Sequence, residues 1–488
     1  MTTLTDRADE PVPPAHAGRR RSTALALLAA SLPMFMATLD NLVMTTALPV
    51  LHTELSASLE QLQWMVNAYT LAFASLMIAA ATLGDRLGRR RLFLAGITVF
   101  ALASIASALS TSAGALIAAR TLQGAGAAAV MPLSLTLLAA AVPASRRAMA
   151  IGVWGAVSGL GVALGPVVGG AVVEGLSWQA IFWINVPVAL VAVPLVLLAL
   201  PEQTGRRQRL DLAGLVLAAS GVLALVWSIV RGNEDGWTSG RVLGGLVLGL
   251  ALLALFVRRE ARTPYALVPL RLFRVRSFSV TNAGALLFYV GVFGAVFLLS
   301  QYLQVGMGYT PLEAGVRTLP WTAAPMLVAP LAGLLAPRVG VRPLLVSGLA
   351  LQALGLGLQA AVIGSATTYA DLVPGLALAG IGMGLTFAPQ ATAVLADMAP
   401  DDHGTASSVN ATIREIGGAL GVAVLVAVFQ AAGGTLTPAG YAAGLQPAVW
   451  VGAGITALAA LVTLAMPRAT GRLTGAAAAE PVRELVPA

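Results

Sequence analysis

The sequence predicts an all-α integral membrane protein: two pseudo-symmetric six-helix bundles with two further helices inserted between them, fourteen transmembrane helices in all. Three observations carry that expectation. They are an apolar composition, fourteen runs long enough to cross a bilayer, and a first-half loop sequence that returns in the second half. Of 488 residues, 58% are hydrophobic and only 10% charged, against about 25% charged in soluble domains. Mean hydropathy is +0.85. All 29 basic residues are arginines, and the absence of cysteine excludes disulfides and thiolate metal sites. His16, His52 and His403 fall in expected tails or loops, so no metal site is predicted.

A bilayer core about 30 Å thick requires about 20 apolar residues per helix. Such segments run over 24–51, 62–84, 92–110, 113–141, 148–173, 179–200, 210–230, 241–257, 278–303, 312–336, 342–364, 371–396, 406–431 and 447–467. Arg19, Arg20 and Arg21 precede the first, which is too long for a signal peptide and has no small-residue cleavage site, so it is read as retained. Short cytoplasmic loops should hold the positive charge. With a cytoplasmic amino terminus, Arg86 to Arg91, Arg146, Arg147, Arg206, Arg207, Arg209, Arg258, Arg259, Arg262, Arg271, Arg274, Arg276, Arg338, Arg342, Arg468 and Arg472 all fall on that side. The opposite loops hold little beyond Glu54, Glu60, Glu174, Arg231, Glu234, Asp235 and Arg241. Both termini are therefore expected in the cytoplasm. The net charge of +8 is read as topology and contact with anionic lipid, with no nucleic-acid partner.

The expected organisation is a cytoplasmic tail (1–22), a six-helix bundle (23–202), two inserted helices (203–260), a basic interfacial linker (261–277), a second six-helix bundle (278–468) and a second cytoplasmic tail (469–488). Internal repetition supports the two bundles. "ATLGDRLGRRRLFLAG" from Ala81 returns as "AGLLAPRVGVRPLLVSG" from Ala332, with Gly84, Arg86, Gly88 and Arg90 answered by Ala336, Arg338, Gly340 and Arg342. "QGAGAAAVMP" from Gln123 and "AGIGMGLTFAP" from Ala379 echo one another, as do "ALGPVVG" from Ala163 and "ALGVAVL" from Ala419.

Ionisable residues inside spans mark function by default. Asp40 sits inside "FMATLDNLVMTTALPVL", ten positions before Val50. A rise of 1.5 Å per residue puts it roughly 15 Å below the outer surface, and Arg120 in the fourth span roughly 10 Å below the same surface. The two are expected to pair, directly or through Gln123. By residues alone the pair is either a fixed tie between helices or a proton-handling device. Arg414 and Glu415 lie roughly 13 Å into the thirteenth span. Adjacent helical residues do not face each other, so structural gating and coupling both stay open for them. Asp211 reads as a helix amino-terminal cap beside Arg209.

"GDRLGRRR", "RTLQGAGAAAVMP", "GLGVALGPVVGG" and "WQAIFWINVP" resemble the ordered motifs of the major facilitator superfamily, and "LDNLVMTTALP" with fourteen spans resembles its drug/proton antiporter branch. The likeness covers about residues 20 to 470. It implies the major facilitator fold, with proton coupling at Asp40 and Arg120. It also implies a gating latch at Gly84, Asp85, Arg86, Gly88, Arg89 and Arg90, where the residue-level alternative is a plain topology signal. An antiporter motif follows at Gly155, Gly159, Gly165, Pro166, Gly169 and Gly170, whose bland alternative is helix packing. Ala81 replaces the usual glycine, Leu42 and Thr45 replace the commoner threonine and asparagine, and Pro337 replaces the aspartate in the second latch copy.

A substrate cavity is expected between the halves near mid-membrane. Met34, Phe35, Met44, Asn67, Tyr69, Met131, Phe288, Tyr289, Phe293, Gln301, Trp321 and Gln390 are its candidate lining, because methionine and aromatic surfaces adapt to varied ligands. The resulting expectation is a monomeric proton-coupled antiporter in a bacterial cytoplasmic membrane, exporting hydrophobic or cationic drugs. The alternatives are a proton-coupled transporter of an endogenous metabolite or lipid, and a membrane enzyme. The enzyme reading lacks paired carboxylates or a nucleophile/base set. No cofactor is expected, and no nucleotide-binding loop indicates ATP.

Overall fold

Helix starts and breaks in the computed structural model follow local chemistry. It describes residues 23–205, 211–364, 366–399 and 402–467; both tails and Arg206, Arg207, Arg209, Arg468 and Arg472 lie outside the described residues. Among the described residues, fourteen helices are long and apolar enough to span a membrane. In chain order they are α1 Thr23–Glu54, α2 Leu59–Leu87, α3 Arg89–Ala108, α4 Ala113–Ala141, α5 Met149–Gly175, α6 Ala180–Ala199, α7 Leu212–Asp235 and α8 Gly240–Glu260. They continue as α9 Arg276–Gly306, α10 Pro311–Val339, α11 Val341–Val362, α12 Tyr369–Leu395, α13 His403–Ala431 and α14 Pro438–Thr463.

Caps explain why several helices begin before their apolar runs. At α2 the Ser58 hydroxyl accepts from the Gln61 amide at 3.2 Å while Gln61 Oε1 accepts from the Ser58 amide at 2.9 Å, a reciprocal capping box. Thr310 with Glu313 and Thr368 with Asp371 do the same for α10 and α12. His52 and His403 stand in helix ends, not loops; each ring bonds a carbonyl, of Ala57 and Met398 respectively. Two spans that the hydropathy pattern presents as continuous are broken. α6 is interrupted at Ile184, and α10 at Thr318 and Ala323. In α10 the cause is Pro320 and Pro325, which remove amide donors and crowd the preceding turn.

The first six helices pack on one another through α2 with α4, α3 with α4 and α1 with α5; the last six through α11 with α12, α9 with α13 and α11 with α14. The loop repeat is reproduced in the backbone: Gly88 and Gly340 both take left-handed conformations, φ +110° and +93°. The halves meet along two seams, α5 with α10 and α2 with α13. The inserted pair is a hairpin whose α7 lies along the second seam, with Val222, Val226 and Val230 packed against Leu71 of α2 and Ala419 and Ala423 of α13.

At its far end α7 holds both halves. Arg231 reaches Glu60 of α2 at 3.2 Å, and Asn233 Nδ2 donates to the Ala427 carbonyl of α13 at 2.6 Å. Replacing both, Arg231→Ala with Asn233→Ala, is expected to loosen closure at this end. A cysteine introduced at Thr45, in a chain with none of its own, should then be labelled several-fold faster by a polar thiol reagent. An unchanged rate would show that the seam holds without α7.

Between the halves a cavity of about 1560 Å³ opens at the arginine-rich end. Its walls are the ends of α2 and α4, the start of α13 and the linker that follows α8. The linker is pinned to α13 by Arg271, whose two terminal nitrogens meet the Asp402 carboxylate at 2.6 and 2.7 Å. Those bonds hold the Asp402 carboxyl below its ordinary range. The clasp is therefore intact above the ordinary aspartate pKa and is lost only as pH falls through the lowered one.

Candidate functional site

Asp40 lies in the middle of α1, buried, with five helices supplying its surroundings. Arg120 Nη1 donates to Asp40 Oδ2 at 2.5 Å and to Gln123 Oε1 at 2.7 Å. Gln123 Nε2 returns to Asp40 Oδ1 at 2.8 Å, closing a ring of three side chains from α1 and α4. Asn185 of α6 donates to the same Oδ1 at 2.8 Å, and Ser104 of α3 accepts from both Gln123 and Asn185. Arg120 Nε donates to the Met65 carbonyl of α2 at 3.2 Å, and its guanidinium lies 4.3 Å from the Tyr69 ring centroid. Tyr69 is itself fixed by its hydroxyl to the Ala37 carbonyl at 3.3 Å.

An ion pair this deep survives only when both charges are also hydrogen-bonded, since desolvation costs several kcal/mol per ion. The network meets that condition on the carboxylate side. Arg120 Nη2 has no acceptor. Asn185 and Ser104 are members of the network that the sequence reading misses. Asn185 stands in "WINVP", and a lone amide in an apolar span is the signal that could have found it. Ser104 offers none, because a small hydroxyl can satisfy itself on its own helix backbone, as it does toward Phe100. Asp40 lines neither cavity.

The expected latch sits at the arginine-rich rim. Asp85 lines the large cavity and pairs with Arg89 at 2.6 Å within its own half. Arg86 is exposed, while the Arg90 amide and side chain dock on Glu202 and the Leu200 carbonyl after α6. Gly88 is required twice over, by its positive φ and because a Cβ there would lie 2.8 Å from Glu202 Oε1. Gly84 packs against Leu133 of α4.

The α5 glycines divide into two groups. Gly155 and Gly159, toward the arginine-rich end, have open space where a side chain would begin, with no atom within 4 Å. Gly165 and Gly169 lie against Leu42 and Val43 of α1. At the far end α5 crosses α10 backbone to backbone: Gly170 meets the Pro311 carbonyl and Gly315 meets that of Pro166, and neither contact leaves room for a Cβ. Glu174 there accepts from the Leu312 amide at 3.0 Å. Gly170→Val is expected to force α5 and α10 apart at this end, which a cysteine at Leu312 should report by faster thiol labelling; wild-type labelling would exclude a sealing role for the crossing.

The expected cavity lining is only partly brought together. Met131 lines the large cavity. Asn67, Tyr289 and Phe293 line a second, small pocket of about 30 Å³ together with Arg414 and Glu415. Met34, Phe35, Met44, Tyr69, Phe288, Gln301, Trp321 and Gln390 line neither. Met44, Phe288 and Trp321 are buried in the largest hydrophobic cluster with Phe35 packed against it, and Tyr69 is the floor under Arg120. Asp211 does cap α7, accepting from the Gly214 amide at 2.9 Å, and its ion partner is Arg259 at 2.7 Å. That partner holds the Asp211 carboxyl below its ordinary range.

Two six-helix bundles about a cavity open at one end, with an ion pair inside one bundle, define a membrane carrier and not an enzyme. The sequence profile of the Major Facilitator Superfamily matches residues 30–422 and 283–486, and the chain belongs to that family. It is 37% identical to the multidrug resistance protein Stp of Mycobacterium tuberculosis, over 84% of this chain and 76% of that one. It is 35% identical to the tetracenomycin C resistance and export protein of Streptomyces glaucescens, over 91% and 84%. The multidrug efflux pump LfrA of Mycolicibacterium smegmatis is 33% identical over 84% and 81%. A solved peptide transporter, POT, in complex with sulfate has the same fold, with a TM-score of 0.67 and 16% identity over 90% of this chain and 94% of that one.

Proposed function

We propose that this transporter exports hydrophobic or cationic drugs from the cytoplasm in exchange for protons, with both termini and the arginine-rich end cytoplasmic. The observation that carries the reading is the buried Asp40–Arg120 pair, an ionisable couple placed between α1 and α4 with no packing need for charge. The arginine distribution supports the orientation, and the likeness to a multidrug resistance protein and a multidrug efflux pump supports drug efflux.

In this reading the structure is the cytoplasm-open form with the ion pair made. Cargo enters the large cavity, the halves rock, and cargo leaves outside. A proton then neutralises Asp40, weakens its hold on Arg120 and lets α1 shift so that the carrier returns. One proton entering down 100 mV supplies about 2.3 kcal/mol, roughly a fiftyfold concentration ratio for a neutral cargo before any pH difference. The domains follow as a cytoplasmic tail, two bundles joined by the inserted pair and basic linker, and a second tail, working as a monomer.

Acid-loaded everted vesicles test the exchange. Adding a transported drug should release protons from the lumen; co-movement of proton and drug would overturn antiport. A second reading, export of an endogenous metabolite, is favoured by one relative's name, which couples resistance with export of tetracenomycin C. Growth of an efflux-deficient host against a diverse antibiotic panel separates the two by the breadth of protection.

A further inference from the structure

The small pocket lies where both halves meet. Asn41 of α1 and Asn67 of α2 face Tyr289 and Phe293 of α9, with Arg414 and Glu415 of α13. Three of its features are unsatisfied as the protein stands. Asn67 is fully buried, yet neither its Oδ1 nor its Nδ2 has a hydrogen-bond partner. Glu415 makes no hydrogen bond or salt bridge among the described residues, and the charge that acts on it is that of its chain neighbour Arg414. Arg414 forms no salt bridge among them either, and its Nε is buried without an acceptor. Instead its guanidinium lies 4.9 Å from the Tyr289 ring centroid, and Tyr289 is stacked on Phe293 at 4.9 Å and 20°.

An aromatic face, a carboxylate and an unpaired amide around one point form a seat for an organic cation. A cation is already over that face, and it belongs to the protein. Arg414 is also the residue that lines both cavities, so its side chain is the partition between the large cytoplasmic cavity and the inner pocket. At about 30 Å³ the inner pocket has room for a water and no cargo.

We propose that this pocket is the seat of a lipophilic organic cation, and that Arg414 occupies it as a tethered stand-in which arriving cargo displaces from Tyr289 toward the large cavity. The proposal rests on the exporter reading above and names its cargo site. Displacement joins the pocket to the cavity, and Glu415 supplies the counter-charge. Asn41, next to Asp40 on α1, carries the occupancy of the pocket to the ion pair on the other side of that helix.

Binding to the purified full chain in nanodiscs, with no proton gradient, tests this. The probes are tetraphenylphosphonium and its neutral relative triphenylphosphine oxide. Arg414→Gln should bind the cation about tenfold tighter than wild type, while Arg414→Lys, which keeps a tethered cation, should stay near wild type. Glu415→Gln should weaken the cation about tenfold and leave the neutral probe unchanged, with Glu415→Asp restoring part of the preference. Monodisperse elution of each variant controls for folding. Equal shifts for both probes, or none, overturn the proposal, as does a wild type and Arg414→Gln variant that both fail to bind the cation. Drug-driven proton release in everted vesicles separates the failures. If wild type still exchanges, only the tethered-cation inference falls; if it does not, the exporter reading falls with it.

Discussion

Asp40→Asn is expected to abolish proton-driven export, reducing the drug gradient from roughly fiftyfold per 100 mV to none. Asparagine preserves the shape and still offers one oxygen to Arg120, but it cannot take up a proton in the physiological range. It also presents an NH₂ group where one carboxylate oxygen now accepts bonds, either from Gln123 and Asn185 or from Arg120. Arg120 is then a buried cation without a counter-charge, a state that costs about 3–5 kcal/mol. Loss of transport could therefore be blamed on loss of fold. The double variant Asp40→Asn/Arg120→Gln removes both charges and should recover most of the thermal stability while remaining uncoupled. Drug-driven proton release in everted vesicles, paired with thermal unfolding in detergent, reads the two effects apart. An Asp40→Asn protein whose transport keeps the wild-type pH dependence would remove this carboxyl from the mechanism.

The ion pair is legible in the sequence because two ionisable residues stand in apolar runs at similar depths, and such groups in a bilayer turn inward to a partner or a cavity. Far less is legible of which aromatic and methionine residues face a cavity. In a soluble helix the polar face reveals the buried one; in a membrane both lipid and protein interior are apolar, so a span such as α1 or α9 carries no stripe to read. Tyr69 illustrates the consequence: its residue type suits a cargo lining, and its place is beneath Arg120. The break pattern of α10 is legible in principle from Pro320 and Pro325, since each proline removes one amide donor. The backbone crossing of Gly170 and Gly315 is half legible: the α5 glycines predict that a backbone approaches, but the partner glycine on α10 has no neighbour in sequence that marks it.

The inserted pair also acquires a physical role that its sequence does not announce. α7 carries hydrophobic contacts to α2 and α13 along its length and polar contacts to both at its far end. The linker after α8 then runs under the large cavity to Asp402. One seam between the halves is thus braced at both ends, while α5 with α10 forms the other seam with no added helix. Rocking between the halves is therefore expected to pivot nearer the α2/α13 seam, with the larger displacement at α5 and α10.

Asp85→Asn is expected to leave cargo binding intact and slow turnover, by about tenfold or more if one charge-assisted bond of about 1.5–3 kcal/mol is lost from a single state. In the present form Asp85 spends its charge on Arg89 and faces the open cavity, across which stand the first turn of α13 and the linker arginine Arg274. When this end closes, the rim of the first half meets that turn, whose exposed amides and dipole favour an anion. The neutral variant loses that contact in the closed form and, in the open form, only the partly exposed Arg89 pair, which is worth less, so the population shifts toward opening here. A cysteine at Ser408, which lines the cavity, should consequently label faster from the arginine-rich side in Asp85→Asn than in the parent. Equal labelling together with wild-type turnover would mean that closure at this end draws on packing alone. Slow turnover with unchanged labelling would place the effect of Asp85 in the Arg89 pair within its own loop and not in a contact between the halves.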